Sequence, residues 1–191
     1  MDMSGEHRIP ASIQAVWDAL NDPEVLKASI PGCESVDKVS DTEFTAKVTM
    51  AVGPVKARFK GQVKLTDIDA PNGYTITGKG SGGAAGFGEG NAKVTLVEED
   101  GETVLSYTAH ASVGGKLAQI GQRLIDATAK KMANEFFTGF VSHLEETGIA
   151  APAPEAAAPE AAPSPTKFPQ WAALGAVAVA VVLALIWYIS G

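Results

Sequence analysis

Cysteine is almost absent from this 191-residue chain. Cys33 stands alone, so no disulfide can form within it, as suits a reducing compartment. Only three histidines accompany it, and they are scattered, which leaves zinc or iron–sulfur ligation without support. Basic residues are also scarce. Lys and Arg number 15 against 22 Asp and Glu, and only Lys167, Glu155 and Glu160 lie beyond residue 150, so residues 1–150 carry 14 basic and 20 acidic groups, net −6. Such a domain has no bulk attraction for nucleic acid or an anionic leaflet, and no nucleic-acid partner is expected. The opening "MDMSGEHRIPAS" lacks both a basic start and an apolar stretch, so no secretory leader is expected and the domain should stay on the cytoplasmic side.

Large apolar residues are nearly missing from 149–170, a stretch of Ala, Pro and Glu with six prolines. It cannot bury enough surface to offset the entropy of ordering and reads as a flexible linker after a globular domain at 1–148. If polyproline-like, it reaches at most about 60 Å. Residues 171–189, "WAALGAVAVAVVLALIWYI", then lack charge altogether. As a helix they span about 28 Å, which fits the hydrocarbon core of a bilayer. Trp171, Trp187 and Tyr188 sit at the two ends, where amphipathic rings favour the headgroup region. The segment is expected to be a single-pass C-terminal tail anchor in the cytoplasmic membrane.

Within the domain the pattern is mixed. In "SIQAVWDAL", Ile13, Val16, Trp17 and Leu20 recur at helical spacing behind Ser12 as N-cap. Asp22 and Pro23 open a second short helix, and "IPGC" turns the chain out of it. Strand alternation is strongest in "VKARFKGQVKL", where Val55, Ala57, Phe59, Gly61, Val63 and Leu65 alternate with polar, mostly basic residues. Ala46, Val48, Met50 and Val52 precede them across a Gly53–Pro54 turn, and Tyr74, Ile76, Ala92, Val94, Leu96, Leu105, Tyr107, Ala109 and Ala111 continue an antiparallel meander. From Lys116 to Thr147 the period becomes helical, with Leu117, Ile120, Leu124, Met132, Phe136, Phe140 and Leu144 on one stripe. A long helix laid across a curved antiparallel sheet, an α+β class, is the economical way to bury both apolar faces.

Gly80, Gly82, Gly83, Gly86, Gly88 and Gly90 crowd "KGSGGAAGFGEGNA", residues 79–92. No Lys followed by Ser or Thr completes a P-loop, and strand patterns flank both sides where a dinucleotide fingerprint needs a strand-to-helix turn. The nucleotide reading therefore fails. Two readings stay open: a side-chain-free wall that lets a ligand approach the backbone, or a bent hairpin without one.

The words "IPASIQAVWDAL", "IPGC", "VGPVKARFKGQV" and "GGKLAQIGQRLI", in that order over about residues 3–146, are similar to the CoxG-like family of carbon monoxide dehydrogenase proteins. The element order likewise resembles the helix-grip fold of START-like (SRPBCC) lipid carriers. The resemblance implies a non-enzymatic accessory protein of a molybdenum hydroxylase such as aerobic carbon monoxide dehydrogenase, working at the cytoplasmic membrane, with no catalytic residues. Family members are described as membrane recruiters, and relatives of the fold carry apolar ligands between sheet and helix. The expected roles are thus a carrier of an apolar molecule, a quinone or another isoprenoid lipid held non-covalently, or a pure recruitment anchor.

On that fold, Met50, Phe59, Leu65, Leu105 and Tyr107 from the sheet and Leu124, Met132, Phe136 and Phe140 from the helix are candidate cavity liners, or else ordinary core. Phe87 is a candidate guard of the cavity mouth, or simply exposed. His7 shares the inward phase of Ile9, and either it or His110 is a candidate for a ligand's polar head, or else a structural histidine. His110 has the outward phase, and His143 suits the C-terminal end of the helix dipole. Lys56, Arg58, Lys60 and Lys64 form the one dense positive strip, either docking an acidic partner or simply a solvated strand face. No acid–base pair or nucleophile motif supports an enzyme.

Overall fold

The computed structural model describes residues 1–150; the expected linker from residue 151 onward and the membrane segment, with Trp171, Trp187 and Tyr188, lie outside the described residues. Ile149 and Ala150, at the start of the expected linker, are held by amide hydrogen bonds to the Leu144 carbonyl. Among the described residues no helix is long and apolar enough to cross a membrane. Strand β1 (Asp2–Ile9) is followed by helices α1 (Ile13–Leu20) and α2 (Pro23–Ser29). Strands β2 (Cys33–Ser40), β3 (Glu43–Val52), β4 (Val55–Asp69), β5 (Gly73–Ser81), β6 (Phe87–Glu99) and β7 (Glu102–Gly114) follow. The chain then enters α3 (Lys116–Gln119) and α4 (Gln122–Glu146).

The seven strands form one antiparallel sheet in the order β1-β7-β6-β5-β4-β3-β2. Its two outermost strands are therefore neighbours in sequence, joined by α1 and α2. Alternation along each strand sends one set of side chains to a common face, where Val48, Phe59, Leu65, Val94, Leu96 and Leu105 are buried. Helix α4 contributes Ile125, Ala129, Met132, Ala133, Phe136, Phe137, Phe140 and Leu144 to the same core. This is the α+β arrangement of an antiparallel sheet and a C-terminal helix that the pattern implies, in the helix-grip-like form that the resemblance implies, with seven strands.

Local chemistry sets the helix starts and turns. The Ser12 hydroxyl accepts from the Ala15 amide, and the Asp22 carboxylate accepts from the Glu24 amide at 2.8 Å with Pro23 opening α2. Asp100 and Gly101 both adopt positive φ between β6 and β7, the pairing a two-residue hairpin of matching twist requires. Helix α4 meets α2 at Gly139, where an added Cβ would lie 3.1 Å from the Ser29 carbonyl oxygen. The absent side chain lets the two helices approach.

The structure departs from the sequence pattern in two places. Strand β2 is invisible to the pattern because "CESVDKVS" buries only Val36 and its pairing with β3 is interrupted by register shifts, so no period-2 signal survives. The single helix expected over 116–147 is two: α3 ends at Gln119, and α4 starts afresh after Gly121, whose φ of +96° no continuous helix tolerates. That break resets the helical phase.

Candidate functional site

The centre of the concave face carries almost no side chains. Register places Ala46 opposite Gly61, Gly61 opposite Gly80 and Gly80 opposite Gly88, one row across four strands. The adjacent row runs Val63, Gly78, Gly90 and Ala111, and the next runs Ile76, Ala92 and Ala109. Gly61, Gly78, Gly80 and Gly88 are all buried. A glycine inside a strand costs about 0.5–1 kcal/mol relative to alanine, so a patch of such glycines weakens the sheet unless bare backbone serves a purpose.

The hairpin around the short 3-10 turn Gly83–Ala85 uses its glycines differently. A Cβ on Gly82 would stand 2.5 Å from Cε1 of Phe59, so the missing side chain is the slot into which that fully buried ring fits. A Cβ on Gly86 would meet the Gly114 carbonyl oxygen, and one on Gly115 the Gly86 Cα at 2.7 Å. Backbone thus packs on backbone where the β5–β6 hairpin crosses the start of α3. Gly83 meets nothing and serves the bend with φ of +58°.

Apolar residues at one end of the grip are only partly covered. Met50, Val55 and Ala57 flank the β3–β4 turn and are half-buried. Over the turn, an added Cβ at Gly53 would meet Ile120 at 3.3 Å and Leu124 at 3.8 Å. Leu124, expected on the lining stripe, is 48% exposed, because the break at Gly121 turns Ile125 inward in its place. Beside it, a groove of about 300 Å3 opens between β7 and α4, floored by Ala111, Val113 and Ile125 and rimmed by His110, Ser112 and Gln122.

Of the two readings of Phe87, the outward one is nearer the structure. It has the outward phase of Glu89 and Asn91, and a Cβ on Gly114 would collide with its ring, so Phe87 covers Gly114 on the outer side of β6 and β7 instead of guarding the concave face. The remaining candidates, Phe59, Leu65, Leu105, Tyr107, Met132, Phe136 and Phe140, are all buried between sheet and helix. Phe136 stacks on Phe140 at 5.7 Å and meets Phe137 edge-on at 5.3 Å. Phe137 and Ile125 escape a reading of the sequence, the first because adjacent phenylalanines both fit a broad helical stripe, the second because of the phase reset.

Two polar atoms in this interior lack partners: the Tyr107 hydroxyl and Nε2 of His7. His7 stacks on Phe137 with ring centroids 3.7 Å apart, and burial holds its pKa down to about 4, so the ring is neutral near pH 7. Burial likewise pushes the Tyr107 phenol well above its usual range. His110 is different: its Nδ1 lies 2.7 Å from the Asp2 carboxylate on the exposed face. His143 stands in the last turn of α4, where its carbonyl accepts from the Thr147 amide. The Cys33 thiol is pushed up to about 11, chiefly by burial, and so is not a thiolate nucleophile. Among the described residues no cluster of His, Cys, Asp and Glu suits a metal ion.

On the convex face, Lys56, Arg58, Lys60 and Lys64 project together from β4. Arg58 pairs with Glu34 at 2.9 Å and Lys64 with Glu43 at 3.4 Å. Lys47 of β3 stands directly opposite Lys60, a like-charge juxtaposition that a sheet tolerates poorly without a reason. Shallow grooves of about 160 and 380 Å3 lie on either side of Gln62, bordered by Lys47, Lys60, Lys64 and Lys79 with Asp37 and Glu43.

Comparison with known proteins agrees with this fold. Among solved structures, a conserved protein from Geobacillus kaustophilus is 30% identical with a TM-score of 0.72, covering 77% of this chain and 97% of its own. A START superfamily protein from Mycobacterium smegmatis matches at 10% identity and a TM-score of 0.60, over 76% of this chain and 98% of that one. The Zhui aromatase/cyclase from Streptomyces sp. R1128 matches at 13% and 0.55, over 78% and 95%. At such identities the last two speak for the fold alone. No protein of curated function matches the chain. The family profile of CoxG, the G component of carbon monoxide dehydrogenase, matches residues 5–145, nearly the whole described domain, and the chain therefore belongs to the CoxG family.

Proposed function

We propose that this protein binds an apolar molecule, a quinone or a related isoprenoid lipid, between sheet and helix, and serves a carbon monoxide dehydrogenase-type molybdenum hydroxylase at the cytoplasmic membrane. The observation that carries the reading is the glycine patch of Gly61, Gly78, Gly80, Gly88 and Gly90, where bare backbone suits a flat ring or chain lying against the sheet. The half-covered apolar residues Met50, Val55, Ala57, Ile120 and Leu124 support it as a mouth through which such a molecule passes. Oxidation of carbon monoxide with water yields carbon dioxide, two protons and two electrons, which together reduce a quinone to its quinol. A soluble enzyme and a lipid-dissolved acceptor need an intermediary. The linker at 149–170 and the apolar run at 171–189 would supply the tether, and the lysine strip of β4 the docking surface for an acidic face of the dehydrogenase.

The test is to purify the full-length chain from a quinone-containing host, extract it with organic solvent and identify stoichiometric lipophilic compounds by mass spectrometry. A bound quinone is the expected result. Protein that comes out empty and takes up no added quinone, yet still brings the dehydrogenase to membranes, would replace the carrier by a recruitment anchor. The lysine strip serves that second reading as well as the first. It predicts that an unrelated membrane tether fused to the dehydrogenase restores function in a strain lacking this protein.

A further inference from the structure

The interior between sheet and helix is short of polar groups, which makes the exceptions informative. Apart from the tyrosines Tyr74 and Tyr107, the buried polar side chains among the described residues are Ser29 and Thr103, and both are satisfied, by the carbonyls of Val25 and Ala11 at 2.7 Å. The Tyr107 hydroxyl is not, although the residue is only 3% exposed. An unmade hydrogen bond in such a place costs about 1–3 kcal/mol, enough to notice in a domain of ordinary stability. Nε2 of His7 is the second orphan on this face; the other among the described residues, Oγ of Ser35, belongs to β2. Register brings the two together: Gly5 lies opposite Tyr107 and His7 opposite Leu105, so the tyrosine and the histidine are diagonal neighbours on the inward face of β1 and β7. Gly5 has no side chain to separate them. No Lys, Arg, Asp or Glu is buried among the described residues, so a carboxylate or phosphate placed here would have no counter-charge.

We infer that Tyr107 and His7 form the polar end of the apolar site and bind the uncharged oxygen of a ligand head, a ketone or quinone carbonyl, and not the carboxylate of a fatty acid. The tyrosine O–H donates to the ligand oxygen. The imidazole, fixed against Phe137, supplies a second N–H in the tautomer protonated at Nε2. This assignment rests on the apolar-ligand reading above and narrows it to one class of molecule.

The experiment titrates full-length protein, held in amphipol, with decylubiquinone and separately with palmitate at pH 7.5, using the wild type, Tyr107→Phe and His7→Phe. Decylubiquinone should bind the wild type, Tyr107→Phe should weaken it about three- to ten-fold, the range of one net hydrogen bond, and palmitate should bind far more weakly. The infrared carbonyl stretch of the bound quinone should rise in Tyr107→Phe, a signal that packing changes alone do not give. The melting temperature of the unliganded Tyr107→Phe protein should hold or increase, since the substitution removes an orphaned group. Unchanged affinity and carbonyl frequency in both variants would overturn the anchor pair while leaving the carrier reading intact. Palmitate binding as tightly as decylubiquinone would overturn the neutral-head assignment. Failure of both probes to bind the wild type would overturn the carrier reading itself, and the inference with it.

Discussion

At Gly82 the absent side chain and the Phe59 ring occupy one volume between them, with an added Cβ only 2.5 Å from the ring. Gly82→Ala should therefore destabilise the domain by about 1–3 kcal/mol, the usual cost of overpacking. Urea unfolding checks it, and a double-mutant cycle with Phe59→Leu should show coupling, because the smaller side chain makes room for the methyl. His7 yields a prediction in pH. Its folded pKa of about 4 lies below the ordinary value of 6.5, so both states are neutral above pH 6.5, and below it the unfolded chain takes up the proton first. The stability that the neutral ring preserves is whole above 6.5 and is lost progressively as pH falls through 4. Unfolding midpoints of the wild type should drop between about pH 7.5 and 4.5 more steeply than those of His7→Phe. Residue identity and phase make His7 legible as an inward histidine from sequence. Its contact with Phe137 is not, because nothing local states which helical turn crosses β1.

Elements repeat the lesson at longer range. Helix starts at Ser12 and Asp22, the Gly53–Pro54 turn and the alternation in β4 are legible because each is a local event, a cap, a turn or a period within a few residues. The α3–α4 break is local too, yet "IGQR" reads as helix until the conformation of Gly121 is known. Its φ of +96° and ψ of 138° belong to a region nearly reserved for glycine, and no atom crowds the site, so Gly121→Ala tests conformation alone. A loss of about 1–3 kcal/mol is expected by urea unfolding. A neutral result would mean that α3 and α4 can join as one helix, bringing Leu124 back toward the core. Strand β2 stays hidden because an irregular edge strand with one buried side chain has no period to detect.

The whole molecule combines an apolar interior with a divided exterior. In a chain of net charge −7, the convex face of β3 and β4 concentrates Lys47, Lys56, Lys60 and Lys64. Lys56 and Lys60 project into solvent, so the pair Lys56→Glu and Lys60→Glu should leave the melting temperature nearly unchanged. If this face meets the dehydrogenase, the association rate should fall about ten-fold or more at low salt, and the wild type should approach the variant as salt is raised. Association kinetics at two ionic strengths would show it. An unchanged rate would remove the strip from the docking surface.

The sequence by itself determined the composition-level facts: an acidic domain without disulfides, alternating strands, a long apolar helical stripe, and four words that carry the CoxG resemblance. These are local or additive properties, and one dimension suffices to hold them. Only the tertiary structure decided that glycines from β4, β5 and β6 line up in rows across the sheet, that Gly82 is a slot for Phe59, that Phe87 faces outward, and that Tyr107 and His7, each with an unpartnered polar atom, are diagonal neighbours on β1 and β7. Each depends on strand register, and a shift of one residue moves every side chain to the opposite face, so chain order alone could not reveal them.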